Sequence, residues 1–166
     1  MSVTIKIKKD EKPKEKGMHE KMNTILANYA IMYQNLTGLH WLMKGPHFFG
    51  MHAKYEELYD AYDEYIDQVA ERILMLDETP IHTYSEYLKK AFLKELGDVS
   101  KCSEGVEAVF RDIEVLITEA EGIVKDAEKV GDVGTADLFI KIIGEQQKVR
   151  WMFKAIIDGM PKDMKQ

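Results

Sequence analysis

Six apolar residues, Ile25, Tyr29, Met32, Leu36, Leu39 and Met43, recur at a 4-3-4-3-4 spacing. That rhythm puts one side chain per turn on a single face of an α-helix, and no strand keeps it. Gly45 and Pro46 stop the run, because proline disfavours helical geometry at the residue before it. A second run then begins near His47 and reaches about Leu76, with Met51, Tyr55, Leu58, Tyr62, Ile66, Val69, Ile73 and Leu76 as its stripe. Two long helices joined by a tight turn form an antiparallel hairpin.

The remaining chain repeats the pattern. Asp77 to Pro80 reads as a turn, and Thr83 to Leu88 as a short extra helix before Gly97. A third long helix carries Val106, Val109, Phe110, Ile113, Leu116, Ile117, Ala120, Ile123, Val124 and Ala127 on its apolar face. Gly131 and Gly134 break it. A fourth runs from about Thr135 to Ile157, with Leu138, Ile142, Val149, Met152 and Ile156 turned inward, and ends at Gly159 and Pro161. The expected architecture is all-α: a four-helix bundle over residues 18–160, with a short extra helix in the connection between helices two and three. Residues 1–17 and 161–166 read as tails.

Composition fits one domain. The chain has 166 residues, 45% hydrophobic and 31% charged, enough to bury a sizeable core. No apolar run approaches the ~20 residues of a membrane span, and the first residues lack a signal peptide's apolar centre, so the expected location is the cytoplasm, in contact with the nucleoid if DNA is bound. The single cysteine, Cys102, forms no intrachain disulfide and reads as a free thiol. The net charge of −6 disfavours DNA binding by the body. Residues 1–17 differ: six lysines face three acids there, and a short extended piece is expected at Val3–Ile5.

The chemistry concentrates on the second helix. His52, Glu56, Asp60, Asp63, Asp67 and Glu71 share an arc on the order of 100° wide beside the apolar stripe. Like charges at i,i+4 repel by a few tenths of a kcal/mol per pair. Folding does not need that arrangement, whereas bound cations offset it. A plain solvated face usually mixes signs, yet this arc holds no lysine or arginine. His40 stands five residues before the Gly45–Pro46 break and His52 six after it, so the hairpin sets them opposite each other. Imidazoles beside carboxylates suit iron, manganese or zinc. Asp67 and Glu71 lie ~22 Å further along the helix, too far for one chain to bring all four onto one metal. Either each chain holds two half-sites, or a second subunit supplies the missing half, as a two-fold dimer does. The Glu-x-x-His step of intrachain di-iron bundles is absent.

These residues resemble the Dps family of mini-ferritins. The likeness runs from Met18 to about Met160. It rests on His40-Trp41, the Gly45 break, Phe49-x-x-His52, Asp67-x-x-x-Glu71-Arg72, Thr135 to Leu138 and Trp151-Met152. It implies a ferritin-like bundle with an iron-oxidising site between subunits, His40 and His52 coming from one and Asp67 and Glu71 from the other. Glu56 would complete or orient that site, and Trp41 matches a family tryptophan that quenches radicals. A hollow dodecamer storing ferric oxide is implied, with hydrogen peroxide as preferred oxidant, Glu57, Asp60 and Glu64 seeding mineral, and Asp132 and Asp137 lining entry pores. Lys141 stands where some members carry an acid. The rival reading is a non-enzymatic shell that compacts DNA through its lysine-rich tail. Non-specific DNA binding is the weaker expectation, because acids interrupt the tail.

Overall fold

The computed structural model describes residues 17–45 and 47–160. Residues 1–16 of the tail expected at 1–17, the tail expected at 161–166, the Val3–Ile5 piece and Pro46 lie outside the described residues. Five helices follow in order: α1 Met18–Leu42, α2 Phe48–Met75, α3 Tyr84–Lys90, α4 Cys102–Lys129 and α5 Val133–Gly159. The four long ones form the bundle, and α3 is the extra helix in the α2–α4 connection. No strand occurs among the described residues.

The stripes on α1, α2 and α4 pack as expected. Ile25, Tyr29, Met32, Leu36, Leu39 and Met43 are all buried, as are Tyr55, Leu58, Val69, Ile73, Val106, Ile113, Leu116 and Ala120. Burying a side chain of that size stabilises the fold by roughly 1.5–3 kcal/mol. On α5 the inward face is partly rotated from the expected one. Ala136, Phe139, Ile142, Gln146 and Phe153 are buried, while Leu138, Val149, Met152 and Ile156 are only half-buried. The packing explains the rotation. α5 pairs with α4 and barely touches α2, so Val149, at the edge of the core, and Met152 also line an open α2–α5 groove of about 370 Å³.

The long connection is held by three asparagines of α1. Asn23 donates to the Thr79 carbonyl at 3.4 Å and accepts from the Ile81 amide at 2.8 Å. Asn28 accepts from the amides of Phe92 and Leu93 at 3.0 and 2.8 Å. Asn35 donates to the Lys94 carbonyl and accepts from the Leu96 amide. All three are buried. A non-helical segment crossing a bundle must have its backbone groups paired, and a side-chain amide can serve both a donor and an acceptor. These asparagines tie the α2–α4 connection to the side of α1.

Candidate metal centre

The α1–α2 turn brings His40 and His52 together. Their rings stack with centroids 3.7 Å apart and planes 19° apart. Each Nδ1 lies 2.8 Å from the other residue's backbone carbonyl oxygen. The helix end makes this possible. α1 stops at Leu42, and the Lys44 amide, which would cap the His40 carbonyl in a longer helix, bonds to the Ser100 carbonyl instead. The His40 carbonyl is then one of the unpaired groups a helix terminus leaves, and the His52 ring takes it.

This reciprocal pair fixes the tautomer. A carbonyl oxygen only accepts, so Nδ1 carries the hydrogen in both rings. In the neutral imidazole each Nε2 keeps its lone pair, the form in which histidine binds a metal. Neighbouring rings immobilise the pair further. Phe48 stacks on His52 at 4.9 Å, and Tyr59 meets His40 edge-on at 5.4 Å. Both neighbours were missed in the sequence. Tyr59 was legible only as a residue seven positions, about two helical turns, beyond His52.

Glu56 is exposed one turn beyond His52, with the Tyr59 hydroxyl 3.5 Å from its carboxylate. Asp67 and Glu71 are exposed toward the far end of α2, as are Asp60 and Asp63. Among the described residues no three His, Cys, Asp or Glu side chains lie close enough to hold an ion within one chain. The histidine pair and the carboxylate pair therefore stay apart, as helix length requires.

Arg72, next to Glu71, clasps the start of α5. Its Nε donates to the Thr135 hydroxyl at 2.9 Å and an Nη to Asp132 at 2.5 Å. Gly134 admits the guanidinium: a Cβ there would lie 3.0 Å from it. Asp132 is the N-cap of α5, accepting from the Thr135 amide and hydroxyl at 3.2 and 2.6 Å. Burial alone would raise its carboxyl. The Thr135 hydrogen bonds and the Arg72 charge outweigh burial and hold it below the usual carboxylate range. Asp132 is thus buried and engaged, while Asp137 is exposed.

The acids expected to seed mineral divide. Glu57 and Glu64 line the α2–α5 groove with Lys54, Lys141, Glu145 and Lys148, and Lys54 pairs with Glu57 at 2.7 Å. Asp60 is exposed and does not line that groove. Lys141 therefore belongs to the groove wall. Trp41 is 68% exposed, Phe49 86% and Trp151 69%, large rings left in solvent on a single chain.

Residues 19–162 match the model of the ferritin-like domain family. The structure superposes on a Dps protein from Vibrio cholerae O1, described as a member of a broad superfamily of ferritin-like diiron-carboxylate proteins. The TM-score is 0.83 at 37% identity, over 84% of this chain and 88% of that one. This chain belongs to the Dps family. Its sequence is also 34% identical to DNA protection during starvation protein 2 of Bacillus anthracis, over 86% of this chain and 98% of that protein. General stress protein 20U of Bacillus subtilis is 38% identical, over 82% and 94% of the two chains. Family membership carries the all-α fold and a general link to iron storage or DNA protection. No helix among the described residues is long and apolar enough to cross a membrane.

Proposed function

We infer that the protein oxidises ferrous iron at a site shared between two subunits and stores the ferric product inside a hollow dodecamer. The observation that carries this reading is the reciprocal Nδ1-to-carbonyl pair, which leaves two Nε2 lone pairs side by side at the end of a hairpin. Each chain contributes His40 and His52 to one site and Asp67 and Glu71 to another, with Glu56 completing the ligand set. The absence of any three-ligand cluster within the described residues of one chain supports the shared arrangement. Exposed Trp41, Phe49 and Trp151 support assembly, since apolar area of that kind marks contact surfaces. Trp41 adjoins His40 and takes stray oxidising equivalents.

Iron is the substrate. The histidines, with hydrogens fixed on Nδ1, bind it without reorganising. The carboxylates favour the harder ferric product over the ferrous ion. Hydrogen peroxide accepts two electrons and two protons to give two waters, which keeps hydroxyl radical from forming, and dioxygen is the slower oxidant. Exposed Asp137 draws cations inward, and Glu57, Asp60 and Glu64 seed the mineral. Removal of ferrous iron and peroxide together protects against oxidative stress in the cytoplasm, and any DNA contact is secondary.

The test is size-exclusion chromatography after loading with ferrous iron and peroxide, beside stopped-flow oxidation rates. A twelve-subunit peak carrying ferric iron is expected, with oxidation well above the buffer rate. Oxidation at the buffer rate, or unchanged rates in the His40→Ala/His52→Ala variant, would overturn the assignment.

A further inference from the structure

Tyrosines of α1 and α2 form two ring-contact groups, one at the histidine pair and one at the α2–α5 groove, bridged by neighbouring positions on the two helices. Tyr59 meets His40 edge-on, and Tyr33 meets Tyr59 at 6.0 Å. Tyr29 is one turn before Tyr33 on α1, and Tyr62 three residues beyond Tyr59 on α2, spacings that make helix neighbours. Tyr29, Tyr62 and Tyr65 then cluster, with centroids 5.4, 5.8 and 5.3 Å apart. Tyr62 and Tyr65 line the groove.

Packing alone does not account for the hydroxyls. Phenylalanine would fill the same space. The Tyr29 hydroxyl is fully buried, with the Gln146 side chain as its polar neighbour and no hydrogen bond of ordinary geometry among the described residues. What phenols add to phenyl rings is that they are readily oxidised by one electron. An oxidised phenol sheds its proton at once, so a hole comes to rest where a base is already bonded to the hydroxyl. Two hydroxyls of the set face a carboxylate. That of Tyr59 lies 3.5 Å from Glu56, at the outer limit of a hydrogen bond. That of Tyr65 donates to Glu145 at 2.8 Å, so Tyr65 is the better placed of the two. The Tyr62 hydroxyl instead receives a hydrogen bond from the Gln146 amide, which does not take up a proton.

We propose that Tyr65 is a redox-active residue, supplying the second electron of peroxide reduction through the two tyrosine groups while its proton passes to Glu145. The proposal rests on the ferroxidase reading for its oxidant. One ferrous ion at the shared site gives the first electron and becomes ferric. The second leaves Tyr65 and reaches the site by way of the intervening rings and His40. Two solvent protons complete two waters, leaving a neutral Tyr65 phenoxyl and a protonated Glu145. A second ferrous ion, arriving from solution at the mouth of the groove and not bound there, then returns an electron to Tyr65, which recovers its proton from Glu145. The sum is two ferrous ions oxidised per peroxide, one at the site and one at the groove.

The experiment is freeze-quench electron paramagnetic resonance on the assembled, full-length protein, given one ferrous ion per subunit and then peroxide. The wild type should show a tyrosyl signal that disappears on further ferrous iron. Tyr65→Phe, which keeps the ring, should lose that signal, and Glu145→Gln, which keeps a hydrogen-bond acceptor but not the base, should lose it too. A tyrosyl signal of equal size in wild type and Tyr65→Phe overturns the proposal, as does peroxide consumption by the wild type without any tyrosyl signal. If the wild type fails to speed ferrous oxidation, the ferroxidase reading falls and Tyr65 is judged separately. A photogenerated outer-sphere oxidant then addresses the rings directly, where loss of signal in Tyr65→Phe upholds the resting place and an equal signal removes it.

Discussion

At the start of α2, His52 lies between the rings of Phe48 and His40 and is tied through Nδ1 to the end of α1. Toward the other end, Asp67 and Glu71 stand exposed, and the neighbouring Arg72 reaches over to the N-cap of α5. The histidine half is thus preorganised inside one chain. The carboxylate half is held by its backbone, with side chains still free to choose a geometry. Under the proposed function, imidazoles held in place on one side and adjustable carboxylates on the other would suit an ion that changes charge during the reaction. They also suit a site assembled from two surfaces, where one half must adapt to the other.

The largest expected effect comes from breaking the ordered half. His40→Ala/His52→Ala should slow peroxide-driven ferrous oxidation by ~100-fold, since loss of even an orienting partner of a ligand costs 10- to 100-fold. Stopped-flow absorbance checks this. Asp67→Asn/Glu71→Gln should give a similar loss. Coassembling the two inactive variants then sharpens the comparison: a mixed dimer holds one site with all four ligands, so activity should return in part. No recovery on mixing would mean that the halves do not meet across subunits.

A smaller effect tests how tightly the hairpin is packed beneath the histidines. A Cβ on Gly105 would lie 2.8 Å from the Tyr55 hydroxyl and 3.0 Å from Leu39, next to His40. Gly105→Ala should destabilise by about 1–3 kcal/mol through overpacking, against about 1 kcal/mol of helix propensity gained. Denaturant unfolding measures the balance. At the far end, Arg72→Ala should cost roughly 1–3 kcal/mol by leaving buried Asp132 without its cation, and should lower the affinity for iron more than the maximal rate.

The smallest effect is on acid stability. Hydrogen bonds from Lys21 and Lys129 hold Asp126 below its usual range, and Thr135 and Arg72 do so for Asp132. A depressed carboxyl stabilises the fold above its unfolded pKa of about 3.9, and that stability is lost as pH falls through the folded value. Asp112, raised by burial, works in the opposite sense. Thermal unfolding should therefore fall more steeply below about pH 4 in wild type than in Asp126→Asn/Asp132→Asn.

Much of this was legible in the residues. The 4-3 stripes gave α1, α2 and α4 their faces because burial of one side chain per turn is a periodic demand. Equal distances from Gly45 and Pro46 sufficed to set His40 against His52. The α5 face was read in part. Ile142 is in the core, and Leu138, Val149 and Ile156 pack at its edge. Phe139 and Phe153, buried deeper, depend on the packing of α5 against α4, which a single helix does not encode. Asp132, read as a pore acid, is turned inward by Arg72, sixty residues earlier in the chain.

By itself, then, the sequence determined the helices, the hairpin and the separation of the two ligand pairs, because each follows from local geometry along one chain. Only the tertiary structure decided the proton positions on the histidines, the groove beside α5, and the Tyr65–Glu145 contact. Those depend on where a carbonyl, a carboxylate or a ring from a distant helix comes to rest. The stretch from His40 to Arg72 holds the two proposed half-sites, whose residues are written in order but whose surroundings are set by neighbours that are not.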